Sequence, residues 1–141
     1  MLFSRVRMSI RAQNLYGQMK TRTGLDINIV ARYGLMLSLK DPSLPNPYEY
    51  DETGMEIRPD TLFGEFDKLF HTLFLYRLHK DGLDPMKLSD PENPKSPTVI
   101  QEMMRAHLCR GAASLFPRIA NLSSFHPLIR IEQKLDLEKR K

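Results

Sequence analysis

Apolar and polar residues alternate from Phe3 to Arg11, with Val6, Met8 and Ile10 on one side and Arg5, Arg7, Ser9 and Arg11 on the other. That period of two predicts a strand. The spacing then becomes helical: residues 12–22 place Leu15, Met19 and Arg22 on one side with no proline, and Thr23-Gly24 supplies a left-handed stop. Asp26 stands where a second helix would be capped. Ile27, Val30, Ala31, Gly34, Leu35 and Leu39 carry that helix to Lys40, ahead of Pro42. In 41–60, Tyr48-Glu49-Tyr50 and Met55-Glu56-Ile57 flank Asp51-Glu52-Thr53-Gly54, the outline of a small hairpin. From Thr61 to Lys80, Leu62, Phe66, Leu69, Leu73 and Leu78 recur with Phe63, Phe70 and Phe74 among them, the strongest helical pattern, stopped by Asp81-Gly82. Prolines crowd 84–97, which reads as a loop. Ser96-Pro97 opens a helix through Val99, Ile100, Met103, Met104 and Leu108 to Gly111, and 112–122 form one more short helix. The half-charged end, 131–141, frays within a flexible tail, 126–141.

These elements predict a mainly α fold in a single domain, 1–141. A strand-helix-helix unit over 1–40 is fused to additional helices in 41–125. A chain of 141 residues buries roughly 68% of its unfolded surface, enough for a core without staples. The single Cys109 leaves no intrachain disulfide, and no Cys/His ladder has zinc spacing. A reducing compartment, the cytoplasm, is the expected location. The opening MLFSRVRMSIR has no signal-peptide core, and the longest apolar run near the middle is only Leu73 to Tyr76, so neither a signal peptide nor a membrane span is expected.

Charge sharpens this picture. Residues 1–40 carry seven basic side chains and one acid, a net of +6; residues 41–94 carry twelve acids and five bases, a net of −7; residues 95–141 carry nine bases and four acids, a net of +5. A basic end on a nearly balanced chain points to a polyanionic partner, the plain alternative being a solvated cationic face. The order strand, helix, Thr-Gly turn, helix resembles the ribbon-helix-helix unit, in which two chains pair their strands into an antiparallel ribbon. The outer face of such a ribbon, here Arg5, Arg7 and Ser9, enters a major groove. Arg11, Lys20 and Arg22 join them as candidate phosphate contacts. The start of the second helix offers backbone N–H groups to a phosphate, although Asp26 there opposes one. Read without DNA, the unit is a dimerisation module with solvated arginines.

Gly54-Met55-Glu56-Ile57, Thr61-Leu62-Phe63-Gly64-Glu65-Phe66-Asp67 and Arg105-Ala106-His107-Leu108-Cys109-Arg110-Gly111 follow that N-terminal pattern in order. Together they resemble the DndE family of the bacterial DNA phosphorothioation systems over residues 3–122, with 84–97 looking like an insertion. The resemblance implies a small accessory protein, homo-oligomeric as a dimer or tetramer. It implies contact with nicked or duplex DNA, beside sulfurtransferase and ATPase subunits that exchange a phosphate oxygen for sulfur. Two alternatives stay open: a scaffold docking through the acidic middle and the Pro-rich loop, and a ribbon-helix-helix repressor.

Catalytic apparatus is thin. His71, His79, His107 and His126 lack metal-ligand spacing, and no phosphate-binding glycine loop, serine elbow or paired-carboxylate site is present, so no metal and no cofactor is expected. His107 and Cys109 lie two apart on a helix and point away from each other, as do Glu65 and Asp67. Cys109 reads as a small buried apolar residue. Gly64-Glu65-Phe66-Asp67 reads as packing, and Phe63, Phe66, Phe70 and Phe74 read as core.

Overall fold

The computed structural model describes residues 3, 5–87, 92 and 98–119. The elements run β1 (Val6–Arg7), α1 (Ile10–Thr23), α2 (Ile27–Lys40), a 3-10 turn (Pro47–Glu49), β2 (Glu56–Ile57) and α3 (Pro59–Phe63). A second 3-10 turn (Gly64–Phe66), α4 (Asp67–Lys80), α5 (Val99–Leu115) and a last 3-10 turn (Phe116–Arg118) follow. The mainly α expectation holds. At the centre is α5, buried along most of its circumference from Ile100 to Leu115. The helices α1, α2 and α4 pack around it. The Tyr16 hydroxyl of α1 donates to the Leu108 carbonyl at 2.6 Å. From α4, Phe74 meets His107 edge-on, with centroids 6.2 Å apart. Phe70 stacks on Phe63 of α3.

The N-terminal alternation is real but short. Val6 and Met8 are buried, Arg5 and Arg7 exposed. Ser9 then ends the strand, because its side chain accepts from the Ala12 amide and caps α1 at 3.0 Å. Ile10 and Arg11 are therefore helical, and Ile10 is exposed. The strand's partner is within the chain: β1 pairs antiparallel with β2, Val6 opposite Ile57 and Arg7 opposite Glu56. Met8 extends the pairing, its amide donating to Met55 and its carbonyl accepting from Gly54. The other edge turns to α5, where Gln101 donates to the Arg5 carbonyl and the Ser9 amide points to Cys109 Sγ at 3.4 Å. Both edges are in use, so the strand-helix-helix order stands while the two-chain ribbon does not form from this arrangement.

Other boundaries moved for local reasons. Tyr48 and Glu49 belong to a 3-10 turn capped by Asn46, so the expected hairpin reduces to β2, paired to β1. The long helix from Thr61 is broken: α3 ends at Gly64, whose φ is 53°, and a 3-10 turn precedes α4. On α4, Phe70 and Phe74 face the core, whereas Leu69 and Leu73, and Phe66 just before the helix, are exposed. The N-cap of α5 is Thr98, in a reciprocal capping box with Gln101. The Ser96-Pro97 start, most of the 84–97 loop and the 126–141 tail lie outside the described residues.

Gly111 is no terminus. The helix runs through it to Leu115, absorbing the start of the expected 112–122 helix, because Gly111 is where α5 crosses α2 at Gly34. A Cβ on Gly111 would collide with the Gly34 carbonyl, and one on Gly34 with the Tyr16 hydroxyl. Gly111→Ala is expected to force the helices apart and cost about 3 kcal/mol. Gly17→Ala, with open space around its Cβ, should instead gain up to ~1 kcal/mol from helix propensity. Urea denaturation of both variants checks this, and equal effects would contradict the crossing.

Candidate nucleic-acid interface

The structure divides the six sequence-predicted DNA contacts. Arg5 and Arg7 lie together on the outer face of β1 and share Glu56 of β2, at 3.4 and 3.6 Å. Their side chains are 66% and 50% exposed, so these pairs are weak and a stronger anion can replace the carboxylate. Lys20 and Glu56 line one shallow concavity with Asp26, Asn28, Arg58 and Thr61. Glu56 lines both this concavity and the one holding Arg5 and Arg7.

The other three fall elsewhere. Ser9 is 3% exposed and committed to capping, so it cannot reach a nucleic acid. Arg22 lies over the Phe116 ring at 4.7 Å and donates to the Ile119 carbonyl at 3.4 Å, tying α1 to the end of α5. Arg11 is exposed in the first turn of α1; lying 9 residues along the helix from Lys20, about 100° apiece puts the two on opposite sides.

Sequence reasoning missed Arg58, which the acid-rich middle segment concealed. It pairs loosely with Asp60 at 3.6 Å and completes a cationic group of Arg5, Arg7, Lys20 and Arg58 around Glu56. Next to it, Gln13, Asn14, Gln18 and Thr21 of α1 line a further concavity that adjoins the Lys20 one through Ile27 and Met55. Cations for phosphates beside amides and hydroxyls for phosphate and sugar oxygens are the side chains that hold a nucleic-acid backbone. Asp26 and Glu52 also border this tract. At the helix starts, the first amide of α1 donates to Asp51 at 3.0 Å, and Asp26 stands at the N-cap of α2 without a side-chain capping bond, its carboxylate opposing an anion there.

Four other arginines work within the fold. Arg77 and Arg110 converge from α4 and α5 on the C-terminus of α2. Arg77 donates to the carbonyls of Ser38, Leu39, Asp41 and Ser43 and pairs with Asp81 at 2.8 Å. Arg110 donates to the Ser38 carbonyl at 2.7 Å, to Ser38 Oγ at 2.8 Å and to Ser43. Two guanidinium groups thus satisfy carbonyls that a helix end leaves open and oppose its negative dipole end. Arg105, 5% exposed, pairs with Glu52 at 2.8 Å. Arg32 donates to the Leu62 carbonyl and lies over Phe66.

Buried chemistry is held inert. Ser38 Oγ accepts from Arg110 and is hydrogen-bonded to His107 Nδ1, 2.8 Å away, while Nε2 is buried without a partner among the described residues. Burial, then Arg110 and Arg77, lower the His107 pKa to about 3. Burial pushes the Cys109 thiol up. Among the described residues no group of three or more His, Cys, Asp or Glu is gathered to hold a metal, and no helix is long and apolar enough to cross a membrane.

Because the folded pKa of His107 lies below the usual ~6.5, the unfolded chain takes that proton first. The contribution of neutral His107 is complete above about pH 6.5 and is lost as pH falls toward about 3. Between about pH 6.5 and about pH 5, where the lowered carboxyls of Asp41 and Asp51 stay ionised, unfolding free energy should fall by up to ~1.4 kcal/mol per pH unit. His107→Gln should flatten that slope in urea denaturation, and parallel slopes would refute it.

Fold and surface together define a small, mainly α protein with an arginine-capped interior and a basic strand-and-helix face. The model of the family described as DNA sulphur modification protein DndE matches residues 5–122, and the chain belongs to that family. It is similar in fold to the crystal structure of DndE from Escherichia coli B7A involved in DNA phosphorothioation modification. That match has a TM-score of 0.59 at 20% identity and covers 82% of this chain and 99% of the other. A DndE G21/24K mutant involved in DNA phosphorothioation gives a TM-score of 0.58 at 17% identity over the same shares of the two chains. No curated protein matches the chain.

Proposed function

We propose that this protein is a non-catalytic, DNA-contacting subunit of bacterial DNA phosphorothioation, binding nicked or duplex DNA through its phosphates with little sequence preference. It works in the cytoplasm as a dimer or tetramer beside the sulfurtransferase and ATPase subunits. The observation that carries this is the gathering of Arg5, Arg7, Lys20 and Arg58 around one exposed carboxylate. The enclosure of Cys109 and the neutral, buried state of His107 support a role without covalent chemistry. Use of both β1 edges within the chain argues against a repressor that reads a groove with a two-chain ribbon.

Removing one phosphate-neutralising cation lowers the salt dependence of duplex binding by about 0.9 in log–log slope. Arg5→Ala combined with Arg7→Ala should therefore reduce the slope by about two units, and adding Lys20→Ala or Arg58→Ala by about one more each. Glu56→Gln removes the competing anion and should tighten binding, whereas Arg22→Ala should leave the slope unchanged. Titrations of intact, nicked and single-stranded DNA of unrelated sequences across a salt series check all of these. An unchanged slope in the Arg5/Arg7 variant removes this face from DNA contact. A strong preference for one palindrome returns the repressor.

A further inference from the structure

The helix α4 has two apolar faces. One, with Phe70, Phe74 and Leu78, packs into the core; the other, with Leu69, Leu73 and Tyr76, is 40–65% exposed. A stripe at i, i+4 and i+7 is a helix-packing surface, and among the described residues no element covers this one. It borders a groove of about 710 Å³ between α2 and α4, where Met36 of α2, itself 50% exposed, faces Leu73 and Tyr76. Apolar surface of this kind on a small protein marks a binding site.

Three exposed cations are on its rim: Lys40 and Lys80, the last residues of α2 and α4, and Arg118. None has an ion pair among the described residues. The nearby acids are already engaged, Asp81 by Arg77 and Asp41 by Ser43 and Arg110. The carbonyls ending α2, which would otherwise offset the rim, are occupied by Arg77 and Arg110. The groove is therefore apolar along its floor and positive at its rim.

We infer that this groove receives an amphipathic helix of a partner protein, laying an apolar stripe on Met36, Leu73 and Tyr76 and acidic side chains against Lys40, Lys80 and Arg118. A cleft between two helices suits a third helix, recognised by anchors at i, i+3 or i+4 and i+7. Complementary charge selects an acidic occupant. A second copy meeting face to face would bring two such cationic rims into one interface. Residues 120–141 carry five bases and three acids, the wrong sign for this rim.

The test uses the full chain and two fluorescent peptides of about 18 residues with the same leucine stripe, one flanked by Glu and the other by Lys. In fluorescence anisotropy at physiological salt the Glu peptide should bind at least about tenfold tighter. Leu73→Ser with Tyr76→Ser should abolish binding. Lys40→Glu with Lys80→Glu should reverse the preference between peptides. All four positions are exposed, so the variants should keep the native melting temperature and their affinity for nicked DNA, which separates this result from the DNA-binding one. Equal affinity for the two peptides, or no binding of either, overturns the proposal. So does Glu-peptide binding that appears only after deletion of 120–141, which would make the groove that segment's own. An oligomeric mass that falls in the Leu73/Tyr76 variant overturns it too, making the groove a contact between copies.

Discussion

Because neither Gly34 nor Gly111 carries a Cβ, α2 and α5 cross with their backbones in contact, and the positions of the surrounding side chains follow from that crossing. The closeness lets Tyr16 of α1 reach the Leu108 carbonyl. It also brings Ser38 within reach of both His107 and Arg110. A larger residue at the crossing would separate these pairs together, since packed interiors transmit displacement rather than absorb it.

Among the chain's cations are two populations that composition cannot separate. Arg22, Arg32, Arg77, Arg105 and Arg110 act as multidentate donors or ring partners that join one element to another, which the planar guanidinium does better than an ammonium. Arg5, Lys20 and Arg58 hold only loose, solvated pairings or none, Arg7 adds a donation to the Gly54 carbonyl at 3.2 Å, and all four leave exposed charge for an external anion. The cationic excess of the first forty residues thus overstates the exposed positive surface, while Arg58 in the acidic segment adds to it.

Much of the architecture was legible because it follows from short-range chemistry. The Val6/Met8 alternation, the Gly24 stop and the span of α2 all stand as the pattern predicted. What could not be read depends on contacts far apart in sequence. The partner of β1 is some fifty residues away, and strand periodicity says nothing about whether it comes from the same chain. Gly111 marks a close approach, yet in sequence such a glycine looks like a helix end. On α4 both faces are apolar, so spacing alone could not tell that Phe70 and Phe74 turn inward while Leu69 and Leu73 face out. Of the proposed site, Arg5, Arg7 and Lys20 are the residues that charge alone nominates. Ser9 was misassigned because alternation counted it as a surface strand residue when its hydroxyl was a helix cap.

The arginine cap on α2 bears on where this chain can be cut. Its donors, Arg77 and Arg110, are separated by 39 and 72 residues from the Ser38 they bind. An excised segment 1–40 would therefore end in a helix with bare carbonyls and a strand lacking both neighbours, and it could not persist as an autonomous module. The N-terminal unit is a local motif without thermodynamic independence. Any transplant of its basic surface to another scaffold would have to carry α4 and α5 along.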